Sequence, residues 1–167
     1  MQRKTTCCFT GHRELLQDEK ALQKELEKSI CSLIEAGFIT FQSGGALGFD
    51  TLAAQTVLNL KKLFPHIRLS LVLPCRDQDR FWSKPQQETL RDLIENADET
   101  VYTSNRYHKG CMYRRNRFLV DSASCVLAYL EKAQGGTKYT VDYAKKSGVD
   151  ILFLNGNSSP VQLSFLN

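Results

Sequence analysis

The sequence predicts an α/β fold: a single Rossmann-like, doubly wound, mainly parallel sheet flanked by helices on both faces. Three observations predict it. Short apolar runs alternate with stretches of helical period about six times along the chain. The apolar runs are continuous rather than alternating, as in strands buried on both faces. The chain has 167 residues, 42% of them apolar, which suits one domain with a full core.

The elements follow in order. TTCCFT at 5–10 is a first strand. Residues 18–36 place Leu22, Leu26, Ile30, Leu33 and Ile34 at helical spacing, and Gly37 stops that helix. FITFQ at 38–42 is a strand, and 46–63 a second helix. IRLSLVLP at 67–74 is a third strand, ended by proline. Residues 84–97 form a helix with Pro85 suited to its first turn. ETVYT at 99–103 is a strand, 111–123 a helix and CVLAYLE at 125–131 a strand. A last helix at 136–148, stopped by Gly148, leads to a strand at 149–155. Residues 1–156 form the one domain, and 157–167 a C-terminal tail.

Composition excludes several classes. No apolar run approaches the ~20 residues of a membrane span. The start, MQRKTTCCFTGHR, lacks the apolar stretch of a signal peptide, so a cytoplasmic location is expected and no membrane partner. Net charge is +4, from 22 basic and 18 acidic residues, which is mild for a DNA-binding domain. One basic cluster stands out: Arg106, Lys109, Arg114, Arg115 and Arg117. Nucleic acid, a nucleotide phosphate and water are its three open partners. The six cysteines show no C-x-x-C pair and no matching histidines, so all are expected as reduced thiols, with no metal site and no cofactor. Cys7 and Cys8 fall on opposite faces of a strand.

In doubly wound sheets, ligands bind beyond the C-terminal ends of strands. Four strand ends carry glycine, basic or hydroxyl-bearing residues. After the first strand come Thr10, Gly11, His12 and Arg13. After the second comes SGGALGFD, with Ser43, Gly44, Gly45, Ala46, Gly48 and Asp50. The loop after the third strand holds Gln78 and Trp82. After the fifth come Gly135, Gly136 and Thr137.

Two glycine pairs lead into helices. Without Cβ the backbone approaches a phosphate closely, and the N–H groups of a helix start face the anion. SGGALG is therefore read as an anion-binding turn, the plain alternative being a tight strand-to-helix turn. On that reading Gly45→Asp abolishes ligand binding without unfolding the chain. The loop is neither G-x-x-x-x-G-K-[ST] nor G-x-G-x-x-G, so neither an ATP-hydrolysing P-loop nor a typical NAD dehydrogenase is supported.

Arg13 is a candidate to pair with phosphate, and His12 to donate to ligand or loop. Asp50 suits a ribose hydroxyl or the helix N-terminus. Trp82 suits base stacking or packing of its loop, and Gln78 a base edge. Arg114, Arg115 and Asn116 enter the helix before the fifth strand, where arginine can clamp phosphate in a bidentate way.

FTGHR, SGGALGFDTLAA, LPC with the following glutamine and tryptophan, RRNRFLVD and GGTKYTVDYAKK together resemble the YpsA-like family of the SLOG superfamily of Rossmann-like proteins. The resemblance runs in order from about residue 5 to 154. The superfamily also holds the Lonely Guy nucleotide phosphoribohydrolases and the DNA-processing protein DprA. The resemblance implies a bacterial or phage origin and a nucleotide pocket built from the two glycine loops, without fixing a reaction.

Lonely Guy enzymes cleave the N-glycosidic bond of nucleoside monophosphates. They use the arginine of M-x-x-R-K and the glutamate of P-G-G-x-G-T-x-x-E. Here Arg115 falls on the arginine and, by count, Asp142 on the glutamate, which makes these two the catalytic candidates. Gln134 replaces the proline, Asn116 the lysine, one glycine is missing, and the acid is one methylene shorter. A carboxylate must reach to ~3 Å of the reacting group, so a shortened acid argues against the reaction.

Three readings result. The first is a module that senses or sequesters a nucleotide or nucleotide-derived small molecule. The second is a phosphoribohydrolase. The third, weakest, is a DprA-like binder of single-stranded nucleic acid, a partner that the mild charge disfavours. A homodimer is left open.

Overall fold

The computed structural model describes residues 2–15 and 18–154; residues 155–167, and with them the tail and the end of the last expected strand, lie outside the described residues. After a 3₁₀ turn at Gln2–Thr5, the elements are β1 (Thr6–Gly11), α1 (Glu19–Glu35), β2 (Thr40–Ser43), α2 (Phe49–Lys61), β3 (Arg68–Leu73) and α3 (Lys84–Asn96). They continue with β4 (Glu99–Tyr102), α4 (Cys111–Asp121), β5 (Cys125–Tyr129), α5 (Gly136–Lys146) and β6 (Asp150–Phe153).

All adjacent strands pair in parallel, in the order β4-β3-β2-β1-β5-β6. From β1 the chain builds outward to β4. It then crosses to the other side of β1 and continues through β5 to β6. Crossovers of one hand, run in opposite directions, put their helices on opposite faces. One core accordingly joins α1, α2 and α3 to Cys7, Phe9, Phe41 and Leu71. The other joins α4 and α5 to Cys8, Val126 and Ala128. Cys7 and Cys8 thus face opposite cores. All six cysteines are free thiols, and five are buried.

The helix ends follow their sequence signals. Asp18 caps α1 by accepting from Lys20 N–H at 3.3 Å. Ser83 and Gln86 form a reciprocal capping box on α3, with Pro85 in its first turn. Gly37 (φ 100°) and Gly148 (φ 71°) take the left-handed position just past α1 and α5. Most boundaries move by one or two residues, and two of the differences have a visible cause. The second helix begins at Phe49 rather than residue 46, because Gly45 (φ 65°) and Gly48 (φ 79°) keep the intervening loop out of helical conformation. The fifth strand stops at Tyr129 rather than residue 131, because the backbone N–H groups of Glu131 and Lys132 bond a histidine ring instead of a neighbouring strand. Among the described residues, no helix is long and apolar enough to cross a membrane.

Candidate functional site

The chain departs in opposite directions on the two sides of β1, so the loops after β1 and β5 diverge and leave a crevice at their C-terminal ends. A cavity of about 460 Å³ fills it. Thr10, Gly11, Ala46, Asp50 and Arg115 line its inner part. The segment Tyr107–Gly110 and the first turns of α4 form one wall, and Gln134–Thr137 at the start of α5 another.

Both helices open on glycine. Gly110 (φ 89°) caps α4 and Gly135 (φ 94°) caps α5, and neither helix has a side-chain cap. A Cβ at Gly110 or Gly135 would meet nothing within 4 Å, so the cavity reaches these backbones unobstructed. Two helix N-termini without side-chain acceptors, beside Arg13, Lys109 and Arg115, make the cavity electropositive. Aromatic rings stand at its α4 wall, where Tyr113 packs against Tyr139 with ring centroids 4.4 Å apart.

SGGALG is built differently from GGT. Its glycines make room for the protein's own groups. A Cβ on Gly44 would lie 2.6 Å from Arg115 Nη1 and 2.8 Å from Asp50 Oδ2. One on Gly45 would strike Leu73, and one on Gly48 the backbone of Arg13. Two of the loop's N–H groups are already taken: Gly45 donates to Ser43 Oγ at 3.2 Å, and Ala46 to Asp50 Oδ2 at 3.3 Å. Ser43 in turn donates to the Asp50 carbonyl at 2.8 Å. Ala46 alone of this loop's glycine-alanine stretch lines the cavity. The expectation that Gly45→Asp would spare the fold is therefore corrected. The position has a left-handed φ and no space beside Leu73, so the substitution strains the structure itself.

Arg115 is the buried centre of the site. It donates to the carbonyl of Gly44 and, at 3.4 Å, to that of Val72, and its Nε donates to Asn116 Oδ1 at 2.8 Å. Burial pushes its pKa down, and the nearby Asp50 opposes that shift. Burial pushes the Asp50 carboxyl up to about 6, against the pull of Arg115 and of the Ala46 N–H. A carboxyl tuned this way beside a buried arginine changes the cavity's charge near neutral pH.

His12 joins the two loops of the crevice. Its Nε2 accepts from Glu131 N–H at 2.8 Å and Lys132 N–H at 3.0 Å, so this nitrogen carries no proton. The ring sits edge-on to Tyr129, with centroids 5.8 Å apart. Burial, then the Lys132 charge, lower its pKa.

The remaining candidates divide. Arg13, Asn116, Gly136 and Thr137 line the cavity with those already named. Gln78 reaches the loop from behind, 3.4 Å from the Gly45 carbonyl. Trp82 packs on the α1–α3 core, and Gly48 lines a separate depression beside α2. Arg114 points into a neighbouring depression with Arg76 and Arg106. Asp142 is absent from the cavity lining and is held by Lys138 at 2.6 Å, which lowers its pKa.

Tyr107, His108, Gly110 and Tyr113 line the cavity without having been singled out as ligand-binding candidates in the sequence, and beside them stands Lys109 of the basic cluster. The signal was present: RYHKG follows the fourth strand and ends in a glycine that opens a helix, the same pattern as GGT. What the sequence does not show is the path of the connection from edge strand β4 to α4, which brings this loop to the same cavity as the one after β5.

A UPF0398 protein of Halalkalibacterium halodurans is 32% identical to this chain over 128 residues, covering 75% of the chain and 68% of that protein. The uncharacterized SPbeta prophage-derived protein YoqJ of Bacillus subtilis is 29% identical over 119 residues, covering 64% and 70%. Among solved structures, DNA processing protein A (DprA) of Streptococcus pneumoniae superposes with a TM-score of 0.66 at 20% identity. The match covers 93% of this chain and 52% of that one, so the chain spans about half the pneumococcal protein. DprA of Helicobacter pylori, described for its single-stranded DNA binding mode, gives 0.67 at 17% identity, covering 95% and 68%. These two likenesses show the fold. The model described as the YspA SLOG family, named YpsA, matches residues 7–152, and this chain belongs to that family.

Proposed function

We propose that the cavity between the ends of β1 and β5 binds a nucleotide or a nucleotide-derived signal, and that the chain acts as a sensor or sequestering module. One observation carries this reading. Two glycine-capped helix N-termini, cationic side chains and two tyrosines line a single cavity at the switch point of the sheet. Anion-binding backbone, charge and flat rings are the three things a nucleotide needs. In this reading the glycine-capped starts of α4 and α5, with Arg13, meet the phosphates, Thr10, Gly11, Asn116 and Asp50 surround the sugar, and Tyr113 lies beside the base.

The test is native mass spectrometry of the protein purified from cells, with chromatography of its denatured extract. A co-purifying nucleotide supports the reading and names the ligand. An empty protein that also fails to bind any of the common nucleoside phosphates in titration refutes it.

A second reading, binding of single-stranded nucleic acid, is favoured by one surface feature. Arg80 stacks on Phe81 at 4.8 Å and on Tyr107 at 4.7 Å, and Phe81 is 86% exposed. Alternating cations and rings suit stacked bases. Oligonucleotide binding that falls steeply with salt supports it, and a flat or absent response dismisses it.

A further inference from the structure

A second depression, of about 480 Å³, opens beyond His108 over the ends of β3 and β4. Arg76, Arg106 and Arg114 line it, with Thr103 and Ser104. All three arginines are exposed, and among the described residues none lies within 4.0 Å of a carboxylate. The nearby acid Asp77 is turned elsewhere, accepting from Tyr107 N–H at 2.9 Å and pairing with Arg80 at 3.0 Å. Three guanidiniums without a carboxylate partner around one hollow match an anion with several oxygens, which arginine binds through bidentate bonds.

The hollow suits phosphate rather than a base. Arg76 lies over the Tyr102 ring at 4.2 Å, so that aromatic face is already covered by a cation. His108 lines both this depression and the main cavity. Its Nδ1 is 3.0 Å from the Lys109 carbonyl and its Nε2 2.9 Å from Ser104 Oγ, so the ring is fixed at the divide.

We infer that this hollow is a second anion subsite and that the ligand is a nucleoside polyphosphate. Its base and ribose occupy the main cavity, and its distal phosphates pass His108 to reach Arg76, Arg106 and Arg114. The inference rests on the nucleotide reading of the main cavity.

The experiment is calorimetric titration of the four common ribonucleoside monophosphates and their four triphosphates, without divalent cations. It compares the wild-type chain with the Arg76→Ala/Arg106→Ala variant. Both positions are exposed, so the variant is expected to fold, and circular dichroism checks it. The expected result is a triphosphate that binds about tenfold more tightly than its monophosphate, a gain that the variant loses while monophosphate affinity stays within about twofold. Monophosphate binding with no gain for the triphosphate, or a gain that survives in the variant, overturns the second subsite and leaves the main cavity's reading standing. If no nucleotide of either class binds, both fall. A 20-nucleotide oligothymidine that binds the wild type and not the variant, with no triphosphate gain, assigns the arginines to nucleic acid and overturns the proposal.

Discussion

Arg115, on α4, donates to the backbone carbonyl of Gly44, the residue that follows β2. The bond crosses the ends of the strands and ties the α4–α5 face to the loop that opens α2 on the other face. Its geometry explains why Gly44 carries no side chain: Arg115 and Asp50 both fill the space a Cβ would take. The floor of the cavity is thus a packed bracket of backbone, guanidinium and carboxyl.

Arg115→Ala is expected to lower stability by about 3 kcal/mol, since breaking a buried charge contact leaves its partners unpaired. Those partners are the carbonyls of Gly44 and Val72 and the Asn116 side chain, and the Asp50 carboxyl loses a nearby opposite charge as well. Urea unfolding measures it. A variant as stable as wild type would mean that the arginine serves the ligand and not the floor.

The glycine loops separate on the same logic. Gly44→Ala forces Arg115 and Asp50 apart and is expected to destabilise by roughly 1–3 kcal/mol, as overpacking does. Gly136→Ala meets only Asn116 Nδ2, at 3.8 Å, and is expected to leave stability unchanged. It should weaken nucleotide binding instead, because a methyl group then stands where the helix start faces the cavity. Melting temperature and titration on the two variants read both effects. Equal losses of stability would erase the distinction between a structural and an open loop.

Much of the fold was legible in the sequence, and less of the site. Continuous apolar runs such as CVLAY in β5, and stops such as Gly37 and Gly148, fix elements through local chemistry. The role of SGGALG was not legible, because the atoms that fill its glycine gaps come from Arg115, Leu73 and Arg13, all distant in sequence or turned back by a loop. Asp142 matched a motif by count, but counting does not show which way a helix turns a side chain. Tyr107, His108 and Gly110 became site residues only once the fold carried the connection from edge strand β4 to α4 over the crevice, opposite the start of α5.

Asp50 gives the cavity a pH dependence. Its folded pKa, about 6, lies above the ordinary 3.8. The folded chain therefore holds a proton that the unfolded chain releases. That contribution to stability is complete below pH 3.8 and is lost as pH rises through about 6. For an anionic ligand the consequence is tighter binding as pH falls through 6, when the carboxylate is neutralised. Phosphate itself titrates near pH 6, so the decisive comparison is with Asp50→Asn, which is expected to flatten the profile. Parallel profiles for the two proteins would remove Asp50 from the ligand's surroundings.

His12 responds with the opposite sign. Its folded pKa is lowered below 6.5, so its contribution to stability is present above pH 6.5 and is lost as pH falls through the folded value. Protonating Nε2 breaks both bonds to the loop after β5. His12→Ala is expected to speed amide exchange at Glu131 and Lys132 by about tenfold, the effect of one net hydrogen bond. Unchanged exchange at these two amides would show the loop to be held by other contacts.

Asp142 decides between the binding and the hydrolytic readings. It stands outside the cavity lining and is paired with Lys138, whereas Asp50 lies within it. A carboxylate that assists cleavage of a glycosidic bond must come within hydrogen-bond reach of the reacting atoms. Asp142→Asn is therefore expected to leave nucleotide affinity unchanged, and the wild-type protein to release no free base from any of the four nucleoside monophosphates. Chromatography of overnight incubations reads base release directly. Release that disappears in Asp142→Asn while binding persists would reverse the assignment, because α5 would then have to turn that side chain into the cavity when ligand is present.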